Sequence, residues 1–265
     1  MILRATILKK KLTRLWNHEG LPKIKHVLSE LLCSDLLNLV AVDPVFCPSR
    51  REWPSQHHAS GFLNLPTENN NWHIDTSLQQ FLDSGPAPVY MTFGSLQHAV
   101  PEWSMDLFIK ATHLANCRAI IQTSSKKYPE NTQQDNIFFI GKHPHQSLFI
   151  HCAAVVHHGG AGTTHSASFC GKPSIVIPFM DEQLFWAYAL KKQGIAPTPL
   201  AARHANEKQL ADRIKTVLSD NSYRTNAKEI GTSIRPQHGV NNAVDLIEQA
   251  INLKPKYANN SSSGA

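Results

Sequence analysis

The most informative stretch of the chain is Ala153-Ala154-Val155-Val156-His157-His158-Gly159-Gly160-Ala161-Gly162-Thr163-Thr164. Its first four residues are apolar and predict a buried strand, whereas the residues after the glycines predict a helix. A strand, a glycine-rich turn and a helix form an anion site, because a ligand can approach the backbone and the N–H groups of the helix start point at it. The histidine and threonine side chains add hydrogen-bond donors, so the stretch predicts a diphosphate site.

Short apolar strands and helices alternate on both sides of this turn. Strands are predicted at 89–93, 119–121, 137–140, 153–156 and 174–177, and helices at 78–82, 101–116, 146–150, from the turn to residue 170, and at 183–192, 206–218 and 241–251. This alternation is typical of a doubly wound, Rossmann-like α/β domain, in which helices cover both faces of a parallel sheet. Ligands bind such folds at the carboxyl ends of the strands, so Ser95, the 157–164 turn and the 178–183 loop are expected to converge.

The charge of the chain is concentrated at one end. The net charge is +6 over 265 residues, and residues 1–25 hold seven basic residues against one acidic residue, so the remainder is balanced. The main domain is therefore not expected to bind nucleic acid. Residues 1–25 could lie on an anionic membrane surface, or form a solvated helix with one buried face. No apolar run is long enough to predict a membrane span.

Cysteine and histidine usage argues against disulfides and metals. The five cysteines show no regular spacing and no secretory signal precedes them, which predicts a reduced, cytoplasmic protein, with peripheral membrane contact left open. Several histidines lie between residues 143 and 165, but they lack a fixed ligand spacing and no Cys or carboxylate pair completes a set. No metal and no cofactor are therefore expected.

Periodicity also divides the chain. Residues 1–75 lack a complete domain pattern. A short buried strand is predicted at 39–42, and residues 46–75 are predicted to be a loop or linker. Residues 76–252 carry the regular α/β pattern, and 253–265 end in a polar tail expected to be disordered.

Four motifs in this order resemble one known family. They are Val89-Tyr90-Met91-Thr92-Phe93-Gly94-Ser95, the 157–164 turn, Gly171-Lys172-Pro173, and Pro178-Phe179-Met180-Asp181-Glu182-Gln183-Leu184-Phe185-Trp186. They resemble the C-terminal donor-binding domain of GT-B nucleotide-sugar glycosyltransferases, in particular sterol glucosyltransferases and those that glycosylate glycopeptide or macrolide antibiotics. The resemblance covers residues 76–252 and implies that 1–75 are the end of an N-terminal acceptor domain.

The resemblance implies roles for ten residues. Ser95, His158, Gly160, Gly162 and Thr163 would hold the donor diphosphate, and His143, Pro144 and Gln146 the nucleoside. Glu182 and Gln183 would bind the sugar, where the family carries an Asp-Gln pair, so the carboxylate here is one methylene longer.

Each role has a structural alternative. His158 could be a core histidine, Ser95 a strand end, His143 a surface loop residue, and Glu182 with Gln183 a helix start favoured by the dipole. Phe185, Trp186 and Tyr188 are expected in the core rather than at a ligand.

The implied function is transfer of a hexosyl group from a UDP-sugar, or a dTDP-sugar, to a hydrophobic hydroxylated acceptor such as a sterol, lipid or antibiotic aglycone. The family's base is a His near the N-terminus after a glycine-rich turn; His18 and His26 do not fit it, so no catalytic residue is identified. A complementary N-terminal half is expected to supply the base. The alternatives are a non-catalytic nucleotide-sugar-binding remnant and one subunit of a split glycosyltransferase.

Overall fold

A computed structural model describes residues 13, 16, 18–20, 30, 32–63, 73–235 and 238–252. These divide into two compact units, one drawn from Met1–Leu65 with His238–Ala265 and the other from Pro66–Gln237. The last helix thus groups with the N-terminal residues, whereas the sequence pattern placed it with 76–252. The tail at 253–265 and most of the basic 1–25 segment lie outside the described residues.

The smaller unit contains a short parallel strand pair. Strand β1 (Asn38–Val40) pairs with β2 (His57–Ala59), and Asn38 lies opposite His57. The prediction that 46–75 is loop throughout is therefore wrong at β2, because three half-buried residues are too few to show a strand period. Helix Gly239–Asn252 completes this unit, and its Asn242 Nδ2 donates to the Ser60 carbonyl at 3.2 Å.

The larger unit is built on a six-stranded sheet in the order β5-β6-β4-β3-β7-β8. Its strands are β3 (Val89–Thr92), β4 (Ala119–Gln122), β5 (Thr132–Gln134), β6 (Ile137–Ile140), β7 (Ala154–His157) and β8 (Ser174–Val176). All neighbours are parallel except β5, which runs antiparallel to β6. Strand β5 was not predicted, because its residues are polar and it adds only an edge.

Helices cover both faces of this sheet. They are α1 (Thr76–Asp83), α2 (Pro101–Ala115), α3 (His145–Phe149), α4 (Ala161–Phe169), α5 (Asp181–Lys192), α6 (Glu207–Ser219) and α7 (Asn221–Ile234). Two 3-10 turns, η1 (Gly94–His98) and η2 (Ala202–His204), also belong to this unit. The helix of the smaller unit, Gly239–Asn252, is labelled α8. Val89 and Met91 of β3 pack into one core with α2 and α6, while Tyr90 packs into another with α1 and α3. A doubly wound α/β unit is thereby confirmed.

Helix α7 was not predicted. Its buried residues are Ala227, Gly231 and Ile234, a narrow stripe among polar side chains that shows little helical periodicity of large apolar residues. Gly231 packs closely, because an added Cβ would lie 2.9 Å from the backbone of Gly171. Across the described ranges, no helix is both long and apolar enough to cross a bilayer.

The sheet has one switch point. The chain runs from β3 outward to β4 and β6, then returns to the other side of β3 as β7 and continues to β8. The connections after β3 and β7 therefore leave in opposite directions. A crevice at the carboxyl ends of these two strands is where doubly wound folds bind ligands.

Candidate functional site

The turn after β7 is shaped by His157, the last residue of the strand. Its side chain is fully buried, and its Nδ1 accepts the Gly159 N–H at 3.1 Å. Burial lowers the pKa of His157 to about 3, so the ring is neutral at physiological pH and carries its proton on Nε2. His157 is thus a structural residue that closes the turn, and its neighbour His158 is the one that reaches the crevice.

Gly159 joins the turn to the next strand and helix. Its φ is +89°, and an added Cβ would lie 2.8 Å from Val176 Cγ1 and 2.9 Å from the Gln183 carbonyl oxygen. Only glycine fits both the conformation and the space. This close approach sets α4 beside β8 and the start of α5.

His158 lies between two glycines at the switch point. A Cβ on Gly94, after β3, would lie 3.2 Å from His158 Cε1, and one on Gly160 would collide with the imidazole, 3.0 Å from Cε1. The residue is 8% exposed, and burial lowers its pKa, so the ring is neutral at pH 7. Its Nδ1 is buried and has no hydrogen-bond partner among the described residues. The imidazole therefore lies at the crevice with its Nδ1 shielded from solvent.

Helix α4 begins without a side-chain cap. Gly160 occupies the N-cap position in an extended conformation, and no side chain caps the first turn. The N–H groups of residues 161–163 therefore have no intrahelical acceptor. Gly162 is exposed, and a Cβ there would meet nothing within 4 Å. An anion in this open space would be stabilised by the free N–H groups and by the helix dipole.

Two threonines follow in the same turn. Thr163 and Thr164 are both buried, and the Thr164 N–H donates to the Gly160 carbonyl at 3.0 Å. Thr164 Oγ1 is buried without a hydrogen-bond partner in the part of the chain that the structure describes. The predicted diphosphate residues Gly160, Gly162 and Thr163 thus lie together with His158 at one helix start.

The end of β3 supplies the opposite wall. Thr92 Oγ1 accepts the Gly94 N–H at 2.8 Å and donates to Gln122 Oε1 at 2.7 Å, which fixes the strand end. Gly94 has a φ of +54° and turns the chain into η1. Ser95 follows directly, so it lies at the predicted edge, with its side chain exposed.

The predicted nucleoside residues follow β6. His143 Nδ1 lies 2.6 Å from the Gly141 carbonyl oxygen, and Pro144 is the N-cap of α3. Gln146 is half-buried in α3, which packs against α4. His145 stacks on Phe149 at 4.8 Å, and burial, with a smaller effect of His158, lowers its pKa to about 4. The segment therefore reaches the same side of the sheet as the diphosphate turn.

The predicted sugar residues begin α5. Gln183 is 4% exposed, and its Oε1 accepts the Phe179 N–H at 2.8 Å, which closes the loop after β8. Glu182 is exposed, and its Oε1 accepts the Trp186 Nε1–H at 2.7 Å. Both residues also stand at a helix start, as the structural alternative requires. Their sugar role remains a prediction.

The expectation for the aromatic residues of α5 is corrected in part. Trp186 is buried at 4% exposure and packs edge-on against His165 at 5.2 Å. Phe185 and Tyr188 are 50% and 52% exposed, contrary to the expected core position. Phe185 and Tyr188 are three residues apart and share the exposed face of α5, whereas Trp186 lies on the face that packs against His165.

Sequence reasoning missed three residues of this site. Thr92, Gly94 and Gly159 fix the strand end, the approach to His158 and the packing of the turn. Each of them belongs to one of the sequence motifs described above. The residues that they contact in the fold, however, are distant in sequence. Among the residues that the structure describes, no group of three or more His, Cys, Asp or Glu side chains could hold a metal ion.

The fold is similar to that of solved glycosyltransferase structures. The glycotransferase of kitacinnamycin superposes with a TM-score of 0.71 at 18% identity, over 91% of this chain and 61% of that chain. At this identity the likeness concerns the fold, which is that of the C-terminal half of a GT-B glycosyltransferase, as predicted.

A protein-family comparison then defines the family. The model described as "Erythromycin biosynthesis protein CIII-like, C-terminal domain" matches residues 109–243. The chain belongs to this family. The match includes α4, the 157–164 turn and the start of α5, and it confirms the resemblance stated from the sequence motifs.

Two curated relatives are similar to most of this chain. A sterol 3-beta-glucosyltransferase of Arabidopsis thaliana is 30% identical over 206 residues, which are 76% of this chain and 31% of the relative. The O-mycaminosyltylonolide 6-deoxyallosyltransferase of Streptomyces fradiae is 29% identical over 214 residues, 80% of this chain and 49% of the relative. The chain therefore spans about a third to a half of the length of these relatives.

Proposed function

We propose that this chain binds a nucleoside-diphosphate sugar, a UDP-sugar or a dTDP-sugar, and is the donor-binding part of a hexosyltransferase. The observation that carries the proposal is the uncapped start of α4 beside neutral His158, at the switch point between β3 and β7. Free backbone N–H groups and an imidazole in a crevice suit a diphosphate better than a neutral ligand.

The proposed reaction is displacement at the anomeric carbon. The acceptor oxygen forms a bond to this carbon while the bond to the β-phosphate oxygen breaks, and the diphosphate leaves with the electron pair. The N–H groups of residues 161–163 and the His158 ring would stabilise the charge that develops on the leaving group. A base outside this donor unit would take the acceptor proton.

The rest of the donor would extend along the carboxyl edge of the sheet. His143, Pro144 and Gln146 would hold the nucleoside, because α3 packs against α4. Glu182 and Gln183 would bind sugar hydroxyls, since the Gln183 carbonyl lies against Gly159 in the diphosphate turn. Family members that act on sterols and macrolides favour a hydrophobic, hydroxylated acceptor.

Calorimetric titration tests the proposal. UDP and UDP-glucose are titrated into the chain, into His158→Ala and into His113→Ala, whose exposed imidazole lies on α2 away from the crevice. A hydrogen bond to a charged group contributes about 1.5–3 kcal/mol, so His158→Ala should weaken UDP binding roughly 10- to 150-fold. His113→Ala should bind as the wild type does. A folded wild-type chain that binds neither nucleotide contradicts the proposal.

A further inference from the structure

The larger unit holds a cavity at the amino edge of its sheet, opposite the edge of the proposed donor site. Its volume is about 270 Å³. One side is formed by residues that directly precede β3, β7 and β8, among them Ala87, Cys152 and Lys172. The other side is formed by the end of α6 and the start of α7, with Val217 and Arg224. Doubly wound folds bind ligands at the carboxyl edge, so the fold class does not account for this cavity.

Lys172 places a half-buried ammonium group at this cavity. Its Nζ donates to the Ile150 carbonyl oxygen at 2.9 Å, which uses one of its three hydrogen-bond donors. Burial lowers the pKa of Lys172 and the nearby Arg235 lowers it further, whereas the thiols of Cys152 and Cys170 partly oppose this. The charged form of Lys172 is therefore poorly compensated, and an anion beside it would stabilise that form.

Arg224 brings a second cation to the same cavity. Its side chain is exposed, and its Nη2 donates to Asn221 Oδ1 at 3.1 Å. Neither Arg224 nor Lys172 forms an ion pair with a carboxylate in the part of the chain that the structure describes. Asp220 is the one acidic residue of the lining, and its Oδ1 accepts the Ser222 N–H at 2.9 Å. The lining therefore carries two cations that lack a carboxylate partner.

The remaining walls are mainly apolar. Cys152 is 1% exposed, and its thiol already donates to the Leu148 carbonyl oxygen at 3.4 Å. Val217 is buried, whereas Leu218 is 40% exposed although it is apolar. Walls of this kind beside two cations suit a small anion that carries an organic body. The volume falls just below the range of about 300–1,000 Å³ that is typical for drug-sized ligands, which favours a small ligand over a nucleotide sugar.

We propose that this cavity is a second ligand site, which binds a small phosphomonoester: the Lys172 ammonium and the Arg224 guanidinium contact the phosphate oxygens, and the organic body lies against the apolar walls. A phosphomonoester carries a charge of about −1.5 to −2 at pH 7, which matches two cations, and the arginine fork fits two phosphate oxygens. The site is separate from the proposed donor turn. Helix α4 begins at that turn, and its nine residues extend about 13 Å before the chain reaches Lys172.

Calorimetric titration with phenyl phosphate tests the two cation contacts. The wild-type chain is compared with Lys172→Gln, Arg224→Gln and Lys215→Gln, because Lys215 is an exposed lysine of α6 outside the cavity lining. The first two variants each lose a charge-assisted hydrogen bond, so each should bind at least roughly tenfold more weakly. Lys215→Gln loses the same charge and should bind as the wild type does. No binding by the wild type, or equal affinity in all four chains, would overturn the site.

Two further variants keep the test valid if Lys172→Gln does not fold. Lys172→Arg preserves the cation and should retain most of the affinity for phenyl phosphate. Arg224→Gln changes an exposed side chain, and urea unfolding should show that its stability is close to that of the wild type. A folded Arg224→Gln chain that binds phenyl phosphate with wild-type affinity would contradict the Arg224 contact.

Matched ligands test the chemical class. Benzoate carries the same ring with a singly charged carboxylate, so the wild type should bind it several-fold more weakly than phenyl phosphate. Inorganic phosphate lacks the ring and should also bind more weakly, because it leaves the apolar walls uncovered. Benzoate binding as tight as that of phenyl phosphate would contradict a phosphate site, and equally tight binding of inorganic phosphate would contradict the contact with the organic body.

Amide shifts distinguish this site from the donor turn, which is itself proposed to bind phosphates. In the ¹⁵N-labelled chain, phenyl phosphate should shift the amides of Ala153, Gly171 and Asn221, which line the cavity. His158→Ala should bind phenyl phosphate as the wild type does, and UDP affinity should be unchanged in Arg224→Gln. Shifts confined to residues 161–163, with loss of binding in His158→Ala, would place the ligand in the donor turn and overturn the second site.

Discussion

At the scale of single residues, the site depends on three glycines, because each leaves space that a side chain would fill. The His158 ring occupies space that a Cβ on Gly94 or Gly160 would fill, whereas Gly162 faces open space. Gly94 and Gly160 therefore leave space for the His158 ring, whereas Gly162 would leave space for a ligand.

Gly162→Ala should separate stability from binding. Because nothing lies within 4 Å of the added Cβ, the free energy of unfolding should stay the same or rise by up to about 1 kcal/mol. UDP affinity should fall at least roughly tenfold, since the methyl group enters the diphosphate space. Urea unfolding and calorimetry measure the two quantities, and UDP binding at wild-type affinity would contradict the placement of the diphosphate.

Trp186→Phe should affect the sugar but not the nucleotide. The substitution keeps an aromatic ring against His165 and removes the Nε1–H that holds Glu182 Oε1 at 2.7 Å. We expect UDP affinity to be unchanged and the additional affinity for UDP-glucose over UDP to fall several-fold. Phe185→Leu, which changes an exposed neighbour, is the control. A proportional loss for both ligands would indicate a general structural role instead.

The sequence predicted His158 and the glycines because the motif is local. It could not predict that Glu182 is held by Trp186, or that His157 is the structural histidine of the adjacent pair. Those assignments depend on which side of a turn or helix each ring occupies, and this is set by packing against residues far away in the chain.

At the scale of elements, strand β8 and helices α4 and α5 meet at Gly159. The Gln183 carbonyl oxygen and Val176 Cγ1 would both lie within 3 Å of a Cβ at this position. The angle between the diphosphate turn and the sugar residues therefore depends on one close backbone approach.

Gly159→Ala should destabilise the larger unit. A left-handed conformation costs an L-residue about 1–2 kcal/mol, and overpacking adds about 1–3 kcal/mol. We expect urea unfolding to show a loss of roughly 2–5 kcal/mol, with Gly162→Ala in the same turn as the control. A loss below about 1 kcal/mol would mean that the turn adapts easily.

Element prediction succeeded where patterns are long or strongly apolar. Helix α2 has a proline in its first turn and a repeated apolar face, and β3, β6 and β7 are continuous apolar runs. Strands β2 and β5 are three residues long and largely polar. They are stabilised by pairing with a neighbouring strand, and their sequences show no apolar pattern from which a strand could be predicted.

At the scale of the whole molecule, one buried histidine, His157, and two half-buried ones, His145 and His165, are held neutral. Burial lowers the pKa values of His145, His157 and His165 to about 4, 3 and 3 from an ordinary value of 6.5. Between these values and 6.5 the unfolded chain binds more protons than the folded chain, so stability is complete above about pH 6.5 and is lost as the pH falls.

Acid should therefore unfold the chain over this range. The slope of the unfolding free energy should approach about 1.4 kcal/mol per pH unit for each histidine. Urea unfolding at pH 7.5, 6.0 and 5.0 measures it, and His165→Phe, which keeps a ring against Trp186, should reduce the slope. A flat profile between pH 7.5 and 5.0 would contradict the neutral state of these rings in the folded chain.

The grouping of the chain into two units was the part least accessible to sequence reasoning. Helix α8 groups with residues before 65, although some 170 residues separate them. Such contacts leave no local periodicity. The larger unit, in contrast, follows from its alternating pattern and from motifs that belong to one family.

The most direct test of the donor site is an NMR titration of the ¹⁵N-labelled chain with UDP. A diphosphate bound at the start of α4 predicts that the largest amide shifts occur at residues 161–163, together with a change in the His158 ring nitrogens, because these groups would contact the diphosphate. Binding that shifts other amides and leaves the start of α4 unchanged would contradict it.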